Sequence, residues 1–498
     1  MTRRDVLIGA GSGVLAALAG LAAGHLTAAV VSPAASPVLA VGTAVINRTP
    51  TPVKEWAVGT FGTADKPILI GSVALVTLAL AAVGGVLARR RFALGAVIVL
   101  VLVAAAAAAA LERPTAVPQD VFPALVTGAA ALAVLRWLSP DPDSPPVDAA
   151  GRRRLLIGAA AVAAAAATAG AVGQWLIQRA RDVVDIVLPS PADPLPPLPR
   201  GLDARYRGIS AFQTANDDFY RIDVSLTVPV VDQDSWRLKI DGMVDHPFEL
   251  TFDDLLAMPM TEADVTLTCV SNEVGGEYVG SARWLGVRVS DLLERAGVRS
   301  GADQILSTAV DGFTVSTPLA AATDGRDMLV AVAMNGVPLP RLHGFPARLV
   351  TPGLYGYVGA TKWLERLTLT TYADAEAYWT ERGWATEGPI KVSSRVDTPR
   401  GSVDAGRIVV GGVAWAQHDG IASVEVQVDD GPWMPAELGP DAGIDYWRQW
   451  YWVWDAEPGN HRVASRATTV SGIVQTAERA RPFPDGSTGI MRIAVQVD

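Results

Sequence analysis

The chain has 498 residues, half of them hydrophobic and only 18% charged, which leaves room for two or three domains. Its net charge of −10, with no basic patch interleaved with aromatics, argues against nucleic acid as a partner. A single cysteine, Cys269, excludes an intrachain disulfide and any all-cysteine metal site.

The hydrophobic excess lies almost entirely before Ile177. Val6 to Val31, Pro67 to Ala88, Phe92 to Leu111, Val121 to Leu138 and Leu155 to Ile177 are apolar runs. Each is long enough to cross roughly 30 Å of hydrocarbon at about 1.5 Å per residue, so residues 1–180 are expected to hold five transmembrane helices. Val38 to Ile46 is too short to span and sits between prolines, which suits an interfacial or re-entrant piece. Arg3-Arg4, Arg89 to Arg91 and Arg152 to Arg154 are all cytoplasmic if the first helix runs outward. Five crossings then place everything after Arg179 outside, making a multi-pass protein of the cell membrane with an extracytoplasmic remainder. The loop 47–66 is close to neutral and agrees with that parity.

Thr2-Arg3-Arg4-Asp5-Val6-Leu7 and Arg152-Arg153-Arg154-Leu155-Leu156-Ile157 also have the form of twin-arginine export signals, although the positive-inside rule alone explains both. Of five histidines only His25 falls in an expected span, and no Cys-x-x-Cys-His occurs. No haem of this chain's own is expected, so electrons must pass to or from a separate carrier, either a haem protein or a quinone-linked one.

Residues 181–204 are proline-rich (Pro189, Pro191, Pro194, Pro196, Pro197, Pro199) and read as a stiff spacer lifting the following domain off the bilayer. Residues 205–388 mix a short strand at Trp236 to Ile240 with amphipathic pieces at Phe252 to Met258 and Val289 to Ala296, the pattern of an α+β domain. Residues 389–498 read as all-β, with strands at Ile408 to Val413, Ser423 to Val428, Trp447 to Trp454 and Ile490 to Val497. Turn signals such as Asp429-Asp430-Gly431-Pro432 separate them, which indicates a β-sandwich. The series Trp447, Trp450, Trp452, Trp454 is read at period two and suits its core.

Cys269 follows the alternating run Val265, Leu267 and precedes Ser-Asn and Gly-Gly turn residues. The thiol therefore sits near a strand end, where a soft metal can reach it; a buried cysteine acting as a small hydrophobe fits the same pattern. Gly353, Gly356 and Gly359 lead into Lys362, a spacing that lets backbone approach an anionic ligand or simply makes a loop. Arg348 offers a planar fork for a phosphate.

Several motifs occur together and in order: Thr268-Cys269-Val270-Ser271-Asn272, Ala282-Arg283-Trp284-Leu285-Gly286-Val287, Met334-Asn335-Gly336-Val337-Pro338, His343-Gly344-Phe345-Pro346-Ala347-Arg348, Lys362-Trp363 and Pro389-Ile390-Lys391-Val392-Ser393-Ser394-Arg395. In this order they resemble the sulfite oxidase family of molybdopterin enzymes over most of residues 205–498. The resemblance implies a transmembrane helical bundle followed by an α+β molybdopterin domain and an immunoglobulin-like sandwich that usually makes dimer contacts. It also implies a molybdenum with one pterin, ligated by Cys269 as the catalytic residue, with Tyr220, Arg221, His343, Arg348, Thr361 and Lys362 as cofactor contacts.

The chain departs from the family in continuing Ile222-Asp223-Val224 after Arg221, in a shorter loop after the cysteine, and at two positions of the substrate pocket. The arginine two residues after the Asn272 position is Val274 here, and the tyrosine before Met-Asn-Gly is Val332. A site without these groups should hold a dianion poorly. The expected activity is two-electron oxygen-atom transfer on a small-molecule substrate. The alternatives are a sulfoxide or N-oxide reductase of the methionine sulfoxide reductase type, and a membrane binding protein that kept the fold without the chemistry.

Overall fold

The computed structural model describes residues 2–61, 64–139, 149–179 and 186–498. The first residues of the expected spacer, 181–185, lie outside that range. The chain divides into two compact units, Met1–Asp182 with Asp223–Val230, and Val183–Ile222 with Val231–Asp498.

The first unit contains helices α1 (Arg3–Val31), α2 (Pro37–Arg48), α3 (Thr51–Phe61), α4 (Asp65–Ala88), α5 (Phe92–Leu111), α6 (Phe122–Leu138) and α7 (Ala149–Arg179). Among the described residues, five stretches, in α1, α4, α5, α6 and α7, are long and apolar enough to cross a membrane, at the five places the hydropathy pattern indicates. The short apolar piece is helix α2. The near-neutral stretch after it is not an open loop: it contains α3, with Pro52 in the first turn, where a missing N–H is harmless. Thr2 and Asp5 form a reciprocal capping box that starts α1. Small residues then let α1 approach α4 closely: a β-carbon on Gly13 would lie 1.9 Å from the Ala81 carbonyl oxygen. The segment 223–230 completes this unit, with Lys66 Nζ donating to the Ser225 carbonyl at 3.0 Å.

Among its described residues the second unit holds the α-helices α8 (Phe252–Leu256), α9 (Val289–Ala296) and α10 (Gly356–Gly359) and four sheets. Strands β1 (Arg237–Gly242), β2 (Phe248–Thr251), β5 (Gln304–Ala309), β6 (Thr314–Pro318) and β10 (Leu364–Thr370) form one sheet in the order β2-β1-β10-β5-β6. Strands β3 (Thr261–Thr268), β4 (Val279–Arg288), β7 (Leu329–Met334) and β8 (Val337–Pro338) form a second, with β9 (Arg348–Val350) paired to β7. Helix α9 buries Val289, Leu292, Leu293 and Ala296, an i, i+3, i+4, i+7 stripe, and ends on left-handed Gly297.

The two remaining sheets are β11-β13-β17-β16 and β12-β19-β18-β14-β15. Their strands are β11 (Ser393–Thr398), β12 (Ser402–Val403), β13 (Gly406–Trp415), β14 (Ile421–Val428), β15 (Met434–Pro435), β16 (Glu437–Leu438), β17 (Arg448–Ala456), β18 (Gly459–Thr469) and β19 (Met491–Val497). Val396, Val410 and Trp450 of one sheet share a core with Val424, Val463 and Val495 of the other. Trp450 and Trp454 are buried there and Trp452 packs at its edge, so these tryptophans are core residues.

The proline-rich segment, expected as a stiff spacer, is docked along part of its length. Ala192 N donates to the Met260 carbonyl, Asp193 bridges to Thr261, and Leu195 N donates to Glu262 at 2.9 Å. Arg283 binds Asp264 through two nitrogens at 2.8 and 2.7 Å and also donates to the Pro196 carbonyl at 2.8 Å. Its non-proline residues Ala192 and Leu195 donate to the domain, and where prolines bring only carbonyl acceptors Arg283 supplies the donor.

Candidate functional site

Strand β3 ends at Thr268, and Cys269 begins the turn into β4 while keeping one ladder bond, from its N–H to the Tyr278 carbonyl at 3.0 Å. The strand before it is buried on both faces rather than alternately. Its outer face carries Thr266, whose hydroxyl accepts from Trp447 N at 2.8 Å and whose N–H donates to the Asp445 carbonyl. The cysteine is thus carried on an edge strand paired to β4 and tied by Thr266 to the segment that leads into β17. The Cys269 thiol is half-buried. Burial pushes it up, while hydrogen bonds from the Ser271 N–H and hydroxyl and the charge of Lys362 pull the other way. Those donors favour a thiolate, the form a soft metal takes.

Asn272 closes the turn. Its N–H donates to the Cys269 carbonyl, its side-chain oxygen accepts from Tyr278 N at 2.9 Å, and its carbonyl accepts from Ser487 Oγ at 2.6 Å. Ser487 comes from the loop between β18 and β19, so the C-terminal region supplies part of the wall.

Tyr220 stacks on Phe219 at 5.4 Å and lies near Tyr278. Burial and the neighbouring Cys269 push its phenol strongly up, and Arg348 opposes them. Tyr220, Cys269 and Arg348 are therefore one neighbourhood, as the motifs suggest. The Arg348 guanidinium is buried 4.9 Å from the Trp284 ring centre and donates to the His343 carbonyl at 3.2 Å. His343 is buried too, with Nε2 2.7 Å from the Asn216 carbonyl. Lys362 Nζ is 3.5 Å from the Ile222 carbonyl. Gly344, at φ 112°, passes between these cations: a β-carbon there would lie 3.0 Å from Arg348 Cβ and 3.1 Å from Lys362 Cα. A larger residue would crowd both and would be strained at this φ.

Arg221 is exposed, and the Thr361 hydroxyl is fully buried 2.6 Å from Ser307 Oγ, with the Thr361 carbonyl accepting from Leu349 N at 2.8 Å. Asn335-Gly336, both at positive φ, make the tight turn between β7 and β8. The Asn335 side chain accepts from Arg283 N at 3.0 Å and donates to Asn216 Oδ1 at 2.8 Å, tying the early segment to the sheet.

Of the two departures, Val332 is buried in β7 and Val274 packs against the core of the C-terminal sheets. Tyr355 lies outside the motifs, and Lys391 stands in the Pro389 to Arg395 motif without an assigned role. Tyr355 packs with Val270 and Trp384 beside the cysteine turn, and burial pushes its phenol up to about 12, with Cys269 among the smaller contributors. Lys391 pairs with Asp485 at 3.0 Å next to it.

The residues present fit a pterin-bound molybdenum. A half-buried thiol has donors around it, a buried guanidinium and a lysine stand nearby, and a glycine cradle would be filled by any β-carbon.

The family model for an oxidoreductase molybdopterin binding domain matches residues 225–379. The chain is 30% identical to mitochondrial sulfite oxidase of Rattus norvegicus over 274 residues, 46% of this chain and 49% of that protein. It is 36% identical over 157 residues to the uncharacterized oxidoreductase YuiH of Bacillus subtilis, covering 32% of this chain and 76% of the relative. The chain thus spans about half the length of the sulfite oxidases it matches. Among solved structures, the sulfane dehydrogenase SoxCD from Paracoccus pantotrophus shares the fold with a TM-score of 0.52 at 24% identity, over 58% of this chain and 82% of that one. With the cysteine turn, the buried arginine and these relatives in agreement, the chain belongs to the sulfite oxidase family of molybdopterin-binding oxidoreductases.

Proposed function

We propose that this protein is a membrane-anchored oxidoreductase that performs two-electron oxygen-atom transfer at a molybdenum ligated by Cys269. The bound metal would supply the redox change and the soft coordination site. Cys269 would hold it through the thiolate that Ser271 and Lys362 favour. Arg348, Lys362 and His343, with Tyr220, Arg221 and Thr361, would hold the pterin and its phosphate. The observation that carries this reading is the half-buried thiol at the end of β3 with Tyr220, Arg348 and Lys362 converging on it.

The five apolar stretches support transmembrane helices, and the arginine clusters support an extracytoplasmic catalytic unit. The two facing C-terminal sheets support an immunoglobulin-like sandwich, the region in which the family commonly dimerises. Electrons would pass to or from a separate haem protein or quinone-linked carrier.

A second reading within the same class, reduction of a sulfoxide or N-oxide, is favoured by Val274 and Val332. Neither brings a polar group to the site, so an uncharged oxygen carrier suits it better than sulfite. Metal analysis of the purified protein tests the proposal. A molybdenum content near one per chain supports it, and a metal-free, correctly folded protein overturns it. Turnover of sulfite, dimethyl sulfoxide and trimethylamine N-oxide with an artificial carrier then separates the two readings; sulfite is expected to be the poorest, and efficient sulfite oxidation would remove the second.

A further inference from the structure

Tyr355 is 4% exposed, yet among the described residues its hydroxyl only accepts a hydrogen bond, a long one of 3.4 Å from Lys391 N. Its phenolic hydrogen has no protein acceptor there, an arrangement that is unfavourable in an interior unless something else receives it. Its surroundings show where that hydrogen is needed. The ring packs between Val270, which follows Cys269, and Trp384. The hydroxyl is held by the C-terminal loop: a β-carbon at Gly486, which has φ 98°, would lie 2.6 Å from Tyr355 Oη. The Lys391–Asp485 pair and a bond from Lys391 Nζ to the Gly486 carbonyl at 3.0 Å fix that loop. By contrast, the nearby Tyr357 hydroxyl is satisfied, donating to the Ala385 carbonyl at 2.7 Å.

We propose that Tyr355 is a catalytic residue whose phenol donates a hydrogen bond to the oxygen atom being transferred at the Cys269 centre, in place of the tyrosine that Val332 replaces. The inference rests on the molybdenum reading above. It involves a hydrogen bond and no proton transfer, so nothing is oxidised or reduced at the residue. The β18–β19 loop is a positioning element for it, because only glycine at 486 leaves room for the hydroxyl.

The test uses the full-length holoenzyme of wild type, Tyr355→Phe, Gly486→Ala and the control Tyr357→Phe. Each is poised in the molybdenum(V) state and compared in H2O and D2O by electron–nuclear double resonance. Wild type and Tyr357→Phe are expected to show an exchangeable proton coupling that Tyr355→Phe loses and Gly486→Ala weakens, with molybdenum content unchanged. With whichever of the three oxygen carriers the wild type turns over, Tyr355→Phe is expected to lower kcat by about 10²-fold, the usual effect of removing one such donor. A Tyr355→Phe spectrum superimposable on wild type overturns the proposal and leaves the molybdenum reading standing. Wild-type protein without molybdenum overturns both.

Discussion

At the scale of single residues, the site depends on polar groups buried where water cannot help them. Arg348 is the sharpest case. Its guanidinium lies over Trp284 with a nitrogen on the His343 carbonyl, a geometry a lysine cannot reproduce. Arg348→Lys is therefore expected to lower the pterin content of purified protein by about tenfold or more, as 1.4 kcal/mol of lost binding would do; fluorescence of the oxidised pterin checks it. Tyr355 makes an alkaline prediction. Its folded-state value of about 12 lies above the usual tyrosine value of 10.0, so its contribution is fully present below pH 10 and is lost as the pH rises through 12. Tyr355→Phe should remove about 2–3 kcal/mol of that loss in denaturant titrations at the two ends of the window. These residues differ in how visible they were. Cys269, Arg348 and Lys362 stand in linear motifs. Lys391 stands in one too, but its contact with the loop that brings Ser487 to the cysteine turn beside Tyr355 is made by the fold, and contacts made that way leave no periodic trace in the sequence.

At the scale of elements, hydropathy and turn chemistry carried most of the fold. The apolar runs became helices α1 and α4 to α7, Val289 to Ala296 became α9, and the runs at Ile408, Ser423, Trp447 and Ile490 became β13, β14, β17 and β19. Strand β18 escaped notice because Gly459–Thr469 mixes Arg462, Ser465 and Arg466 with small residues, and its order comes from pairing with β14 and β19. The proline-rich segment misled for a related reason: its composition describes stiffness, while Arg283 and Glu262 decide that it docks. Arg283→Ala should release it, costing about 1–3 kcal/mol in thermal or urea unfolding. Limited proteolysis should then cut near residues 190–200 in the variant first, and equal cutting in wild type would show that the staple is idle.

At the scale of the whole molecule, a cofactor domain follows a helix that starts beside three arginines. Those arginines have the form of a twin-arginine signal and also suit the positive-inside rule, and a charge-conserving replacement separates the two. Replacing Arg152, Arg153 and Arg154 together by Lys keeps the charge. It is expected to leave α1, α4, α5 and α6 inserted while residues 200–498 become protected from protease added outside; equal digestion of variant and wild type would contradict that route. All of this presupposes the metal, and the most direct measurement is molybdenum K-edge X-ray absorption on wild type and Cys269→Ser. The account predicts that the variant keeps its pterin sulfurs but loses one sulfur neighbour, replaced by oxygen, together with the thiolate-to-metal absorption band. An unchanged sulfur shell in Cys269→Ser would contradict it.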